Sequence, residues 1–231
     1  MIYQFTVDQA KNHAAQQMDK MFARVPFAKA FHTGAESHPE YYKRHLMETI
    51  LRIRLNNEVD AYCLYKIGSK NNKLAVKLAQ YLAEELGHEN FFLQDLKGLG
   101  VEKATLDATP PFFSTDKLIG YLYHSINQDG PMPTMVWNWF VEWYSDTYNK
   151  IITEKATNVV GDKGTKGFKK HIEFDDKHDH ISLMFGTVEQ TVNTPEDHQK
   201  VKAYLTHFID LIGEYFQELH DATIAKQSKA E

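Results

Sequence analysis

Histidine is the abundant chemistry-bearing residue of this chain, with 12 present beside 26 Lys and Arg. Three of the twelve stand at helical spacing from carboxylates. In YLAEELGHENFFLQDL, residues Leu82, Glu85, His88, Phe92 and Leu96 follow at +3, +3, +4 and +4. On one helix that spacing forms a single stripe, so a carboxylate and an imidazole share the leucine-bearing face. Helical bundles use such a Glu-x-x-His pair to hold metals. In HIEFDDKHDH, residues His171, Asp175 and His178 fall at i, i+4 and i+7 and share a face with Phe174 and Ile181 close by. Glu142 is the third signal. The eleven residues from Pro131 to Val141 carry no charge, and Glu142 sits between Trp139-Phe140-Val141 and Trp143-Tyr144. A carboxylate buried there without a partner costs several kcal/mol, so it requires a cation, a metal or a raised pKa.

Each signal has a plainer alternative: a surface i, i+3 pair, a salt bridge from Glu142 to a Lys or Arg, and a solvated, charge-rich helix start. Taken together, Glu85, His88, Glu142, His171, Asp175 and His178 supply three carboxylates and three imidazoles from three helical segments. Zinc is satisfied by four ligands and favours Cys and His, whereas this mixed nitrogen and oxygen set suits a pair of non-haem irons or manganese. Three negative charges against two divalent cations leave one positive charge for an oxygen-derived ligand or a substrate carboxylate. A ferritin-like bundle would carry a second Glu-x-x-His, which Asp175-x-x-His178 only approximates.

The elements that must position these residues are helical throughout. Apolar residues recur at helical spacing, and Pro and Gly divide the chain into long segments. The expected helices run from Thr6 or Val7 to Phe31 with a kink at Pro26, from about Ser37 to Gly68, from Lys70 to Lys97, from an N-cap at Ser114 to Asp129, from about Pro133 to Val160, over FKKHIEFDDKHDHISLMFGTVEQTV, and from a Thr194 cap to near Ala225. VEKATLDATPPFF reads as a loop, and the tail KQSKAE frays. Six or seven helices without a repeat make a single-domain, all-α bundle over residues 1–231.

Composition narrows the function classes. The 231 residues are 42% hydrophobic and 25% charged, which is ample for a buried core. A net charge of −5 lacks the basic excess that nucleic-acid binding needs. No uncharged stretch is long enough to span a bilayer, the start has no signal-peptide pattern, and the lone Cys63 fits a reducing compartment, so a cytoplasmic protein is expected.

At the six ligand-type residues the sequence resembles the haem-oxygenase-like superfamily, and within it the diiron oxidases and oxygenases that have lost haem. The Glu-x-x-His of the third helix, a glutamate on an aromatic fifth helix and His-x3-Asp-x2-His on a later one are that branch's ligand pattern. VPFAKAFHTGA and EELGHENFFLQDLKGLGV also look like the first third of such proteins and of their relatives, the TENA/THI-4 (thiaminase II) and pyrroloquinoline-quinone-synthesis proteins.

The resemblance implies a bundle of about seven helices that binds two Fe(II), or Mn and Fe, with O2 as co-substrate. It implies oxidation of a small amino-acid, amine or fatty-acid type substrate, with Glu142 as catalytic ligand and Tyr81 close to the oxidant. Glu48 is an additional carboxylate candidate on the second helix, and Glu58 the next. Trp137, Trp139, Trp143, Tyr144 and Tyr148 would line or back the cavity. A haem oxygenase would need an axial histidine, for which His13 could serve, and a glycine-rich distal helix, which WYSDTYNK does not offer. A thiaminase II would need its cysteine near Trp137 to Tyr148, whereas Cys63 lies on the second helix. A thiamin-related hydrolase and a non-catalytic bundle stapled by metal are the alternatives. Apolar surface on the second and last helices suits a homodimer.

Overall fold

The computed structural model describes residues 5–175 and 179–227. Among them are twelve α-helical segments: α1 (Val7–Arg24), α2 (Pro26–His32), α3 (Pro39–Ile67), α4 (Asn72–Glu85), α5 (Glu89–Gly98), α6 (Lys103–Asp107), α7 (Phe113–Asp129), α8 (Met132–Val160), α9 (Lys166–Asp175), α10 (His180–Glu189), α11 (Pro195–Ala222) and α12 (Ile224–Gln227). The fold is all-α, as the spacing requires, with more and shorter helices than the expected seven. The long helices α3, α8 and α11 pack on one another and form the frame. Onto it α1 docks along α11, α10 along α8, α9 along α5 and α8, and α4 and α5 along α3.

The starts follow local chemistry. Thr6 and Gln9 form a capping box at α1, Thr194 and Asp197 form one at α11, and prolines open α2, α3 and α11. The differences from the expected boundaries also have local causes. Pro26 breaks the first helix instead of kinking it, because the residue before proline avoids helical ψ and Val25 takes φ −124° and ψ 79°. The third helix is interrupted at Leu86, whose ψ is 115°, and at Gly87, whose φ of +99° is open to glycine. Leu86 is thereby turned out to solvent, 60% exposed.

Part of the expected loop before Pro110 is the short α6. Helix α7 is capped by distant acids and not by Ser114. Glu48 accepts from the Phe112 N–H at 2.9 Å, and Glu218 accepts from the N–H groups of Phe113 and Ser114 at 3.2 and 2.9 Å. The stretch expected as one sixth helix is α9 and α10, with residues 176–178 outside the described set. Lys226 and Gln227, expected to fray, belong to the short α12. No helix among the described residues is long and apolar enough to cross a membrane.

Candidate metal centre

The site is built where α9 is pressed against α5. Asp95 is buried and accepts from the N–H groups of Gly167 and Phe168 at 2.6 and 2.7 Å, so it caps the start of α9. A Cβ on Gly167 would sit 1.8 Å from the Phe91 carbonyl oxygen, and one on Gly98 would sit 1.9 Å from that of Lys163. Only glycine allows this approach. One turn beyond the contact, His171 meets His88 edge to face, with ring centroids 5.0 Å apart. One turn further, Asp175 Oδ2 lies 3.1 Å from His171 Nδ1 and accepts from Ser145 Oγ at 3.3 Å.

Glu85 and His88 do not share a helix. Glu85 is the last residue of α4 and His88 stands at the start of α5, yet the turn through Gly87 holds His88 Nδ1 3.1 Å from Glu85 Oε2. Burial works against protonation of His88, but Glu85, Asp175 and Glu142 together raise its pKa.

Glu142 on α8 is buried beside them. Tyr81 Oη donates to Glu142 Oε1 at 2.7 Å, and His180 Nδ1 lies 3.5 Å from Oε2. Glu85, Glu142 and His180 each offer a ligand atom within 4.8 Å of the other two. Burial pushes the Glu142 carboxyl up, as do the charges of Glu85 and Asp175, against the hydrogen bonds from His180 and Tyr81. His180 is the counterpart: its contact with Glu142 raises it to about 9, and its Nε2 lies 2.7 Å from Glu84. Without a metal, an imidazolium at His180 supplies the positive charge these acids need.

The donor set fits a metal cation. Glu85, Glu142 and Asp175 have only histidines as ion-pair partners, with no Lys or Arg at that distance among the described residues. His88 Nε2 is buried without a hydrogen-bond partner, which is costly for an imidazole unless a ligand takes it up. Carboxylates mixed with imidazoles match iron or manganese better than zinc. Glu85, Glu142, His171 and Asp175 line one cavity of about 120 Å³, whose other walls include Phe92, Trp137, Phe140, Tyr144, Phe168 and Phe216.

Five of the six residues expected as ligands are brought together here: Glu85, His88, Glu142, His171 and Asp175. His178 lies outside the described residues. Glu48 does not join them. Its buried carboxylate is 2.8 Å from Arg44 Nη1 and accepts from the Phe112 N–H and Thr115 Oγ1, which makes it a helix cap. Glu58 is exposed on the same helix. Tyr81 backs Glu142 from behind and is not among the cavity-lining residues, its phenol kept protonated by burial and by the Glu142 charge.

Of the aromatic residues, Trp137 and Tyr144 line the cavity. Trp139 and Trp143 stack on each other within the core, and Tyr148 packs edge-on against His32. Two participants escaped the sequence reading. His180 is one; Asp179 caps Ser182 at 3.0 Å, and this Asp-x-x-Ser signal marks a new helix start that would have set His180 apart. The other is the stripe His45, Thr49, Arg52 and Asn56 of α3, spaced +4, +3 and +4, which lines the same cavity.

The two residues expected to serve haem or thiolate chemistry, His13 and Cys63, are both otherwise placed. His13 Nε2 is within hydrogen-bond distance of the Lys202 carbonyl and Thr206 Oγ1, at 3.1 and 3.0 Å on the α1–α11 seam. Cys63 is fully buried, and burial pushes its thiol up to about 12, far from the thiolate a nucleophile requires.

A helical bundle of this topology around an acidic, imidazole-bearing cavity has the haem-oxygenase-like fold. A protein of unknown function with that fold from Shewanella denitrificans OS217 superposes with a TM-score of 0.84 at 19% identity, covering 98% of this chain and 97% of that one. A TenA homologue from Pseudomonas syringae pv. tomato gives 0.71 at 14% identity over 91% and 92% of the two chains. A CADD-like protein of unknown function from Nostoc punctiforme gives 0.66 at 19% identity over 92% and 98%. No curated protein matches the sequence. The haem-oxygenase-type family described as iron-containing redox enzyme matches residues 51–212, and the chain belongs to that family.

Proposed function

We propose that this protein is a non-haem, iron-dependent enzyme that uses dioxygen to oxidise a small organic molecule. The observation that carries the reading is that Glu85, Glu142, Asp175 and His171 line one cavity, with His88 set against Glu85 and His171 and no Lys or Arg within ion-pair distance of these acids among the described residues. Two metal ions would be held by these five residues together with His178, and His180 is a further donor within reach of Glu85 and Glu142. Bound as ferrous ions, they would supply the electrons that reduce dioxygen. The chain's own residues provide the setting. Tyr81 fixes the Glu142 carboxylate through its hydroxyl, Ser145 fixes Asp175, and the rings of Phe92, Trp137, Phe140 and Phe168 exclude water from the space next to the acids.

Membership of an iron-containing redox family supports this reading over a thiamin-related hydrolase, and the buried, high-pKa Cys63 weighs in the same direction. The test is oxygen consumption. Metal-free protein loaded anaerobically with ferrous iron is expected to take up oxygen faster than free iron at equal concentration, and a His171→Ala, Glu142→Ala double variant is expected to lose the difference. Oxygen uptake no faster than the free-iron control refutes the proposal. A hydrolase would instead act on thiamin-type substrates after chelation and stop on Cys63 alkylation.

A further inference from the structure

The cavity carries one positive side chain, and it has no anion. Arg52 points from α3 with its guanidinium carbon 4.3 Å above the Tyr215 ring. Its Nη1 is buried without a hydrogen-bond partner. The acids that might have paired with it are taken. Glu48 is bound to Arg44, the Phe112 N–H and Thr115, and no carboxylate among the described residues lies within ion-pair distance of Arg52. His45, beyond Thr49 on the same face, is held neutral by burial and by the Arg52 charge, and its Nδ1 is shared with the Tyr215 hydroxyl at 2.6 Å. The half-buried guanidinium, with the Tyr215 hydroxyl as its hydrogen-bond neighbour, has no counter-charge beside its buried nitrogen among the described residues.

We infer that Arg52 is the anchor for a substrate carboxylate. The substrate is a small monocarboxylic acid whose apolar body reaches from α3 towards the acids of α4, α8 and α9. This inference deepens the proposed function and rests on it for the direction in which the body points. Three features of the cavity select the class. A guanidinium offers a planar fork of N–H donors that a carboxylate meets with two oxygens. A phosphate would call for further cations, and the cavity lining contains no lysine and no second arginine. An α-amino acid would place its ammonium next to the anchored carboxylate, where the stripe offers Thr49, Asn56 and a neutral His45 but no acid, while Asn56 Oδ1 already accepts from Trp137 Nε1 at 3.2 Å.

Size and lining set the rest. At roughly 10–15 Å³ per water-sized position, the cavity of about 120 Å³ takes on the order of ten non-hydrogen atoms. The same cavity is also lined by Ile53, Phe92, Trp137, Phe140 and Phe168. An alkyl or arylalkyl acid of about that size satisfies both ends. Bound this way, its carboxylate is held by the protein and its carbon chain faces the metal ligands, the opposite of a substrate that binds iron through its own carboxylate.

Calorimetric titration of the metal-free protein with octanoate and 3-phenylpropanoate, each beside the corresponding alcohol and amine, tests this. Wild type is expected to bind at least one of the acids and to prefer it to both analogues. Arg52→Met is expected to weaken acid binding roughly 10- to 100-fold, the usual effect of losing a charged hydrogen bond, with alcohol binding unchanged. Arg52→Lys, which keeps the charge and loses the fork, is expected to fall between. Unchanged melting temperature and unchanged iron stoichiometry in both variants separate lost anchoring from lost folding. Failure of both acids to bind wild type, equal binding of acid and alcohol, or acid binding that needs iron and survives Arg52→Met would each overturn the inference. Acid binding that depends on Arg52 in a protein that takes up no iron would instead refute the proposed function and leave the anion site standing.

Discussion

Gly167→Ala is the substitution on which the geometry of the site depends most steeply. The added Cβ would stand 1.8 Å from the Phe91 carbonyl oxygen, 2.6 Å from its carbon and 3.2 Å from Asp95 Cγ. The first two are backbone atoms and cannot rotate away. Restoring ordinary contact requires α9 to move from α5 by about 1.7 Å, given non-bonded separations of roughly 3.5 Å. That movement stretches the two hydrogen bonds from the Gly167 and Phe168 N–H groups to Asp95 and carries His171 away from His88.

Overpacking of this kind costs about 1–3 kcal/mol, which lowers the melting temperature by about 2–12 °C for a chain of this size. Metal ligands tolerate displacements of only about 0.2 Å, so the loss of iron affinity is expected to exceed the loss of stability. Gly120→Ala is the control: nothing lies within 4 Å of its Cβ on the exposed side of α7, and it should stabilise by about 0.5–1 kcal/mol. Differential scanning calorimetry with metal analysis reads both effects. A Gly167→Ala variant with wild-type melting temperature and wild-type iron content would refute the claim that α5 and α9 assemble the site by close approach.

Three other substitutions separate structural from functional acids. Glu48→Ala leaves Arg44 without its partner and the Phe112 N–H without an acceptor, so chemical denaturation should show a loss of about 3–5 kcal/mol, and the folded fraction should bind iron as wild type does. Asp60→Asn removes a carboxyl that burial pushes up to about 8 from 3.8 and that accepts from Asn138 Nδ2 at 2.8 Å. The folded protein keeps that proton up to about pH 8 while the unfolded chain releases it near pH 4, so wild-type stability falls across that window and levels above it. The variant should lose this decline and be more stable at pH 8 by on the order of a few kcal/mol, as melting curves from pH 4 to 9 would reveal. Tyr81→Phe removes the hydroxyl that holds Glu142 and should weaken iron binding about 10- to 100-fold in competition with a chelator, with no change in stoichiometry.

The all-α architecture was legible because the 3.6-residue pattern persists through every long segment, and the frame helices α3, α8 and α11 lie close to their expected bounds. The burial of Glu142 followed from its uncharged, aromatic surroundings. The breaks were harder to see. A glycine inside a helical pattern signals either tolerance or termination, and what decided for termination at Gly87 is the turn that brings His88 back over Glu85. Glu48 illustrates a different limit. Its inward position could be inferred, but whether a buried acid caps a helix or binds a metal depends on which N–H groups a distant segment delivers, and Phe112 and Thr115 lie more than sixty residues away. Arg52 carries no sequence signal of its own, because an arginine in a charged helix reads as solvated unless all its acidic neighbours are known to be occupied.

Whether these acids and imidazoles hold two irons is decided by an anaerobic titration of the metal-free protein with ferrous iron. The expected result is saturation at two irons per chain in wild type and at one or none in the His171→Ala, Glu142→Ala double variant, with both proteins folded by circular dichroism. Wild type that takes up no iron, or a double variant that still saturates at the wild-type value, would contradict the two-iron site.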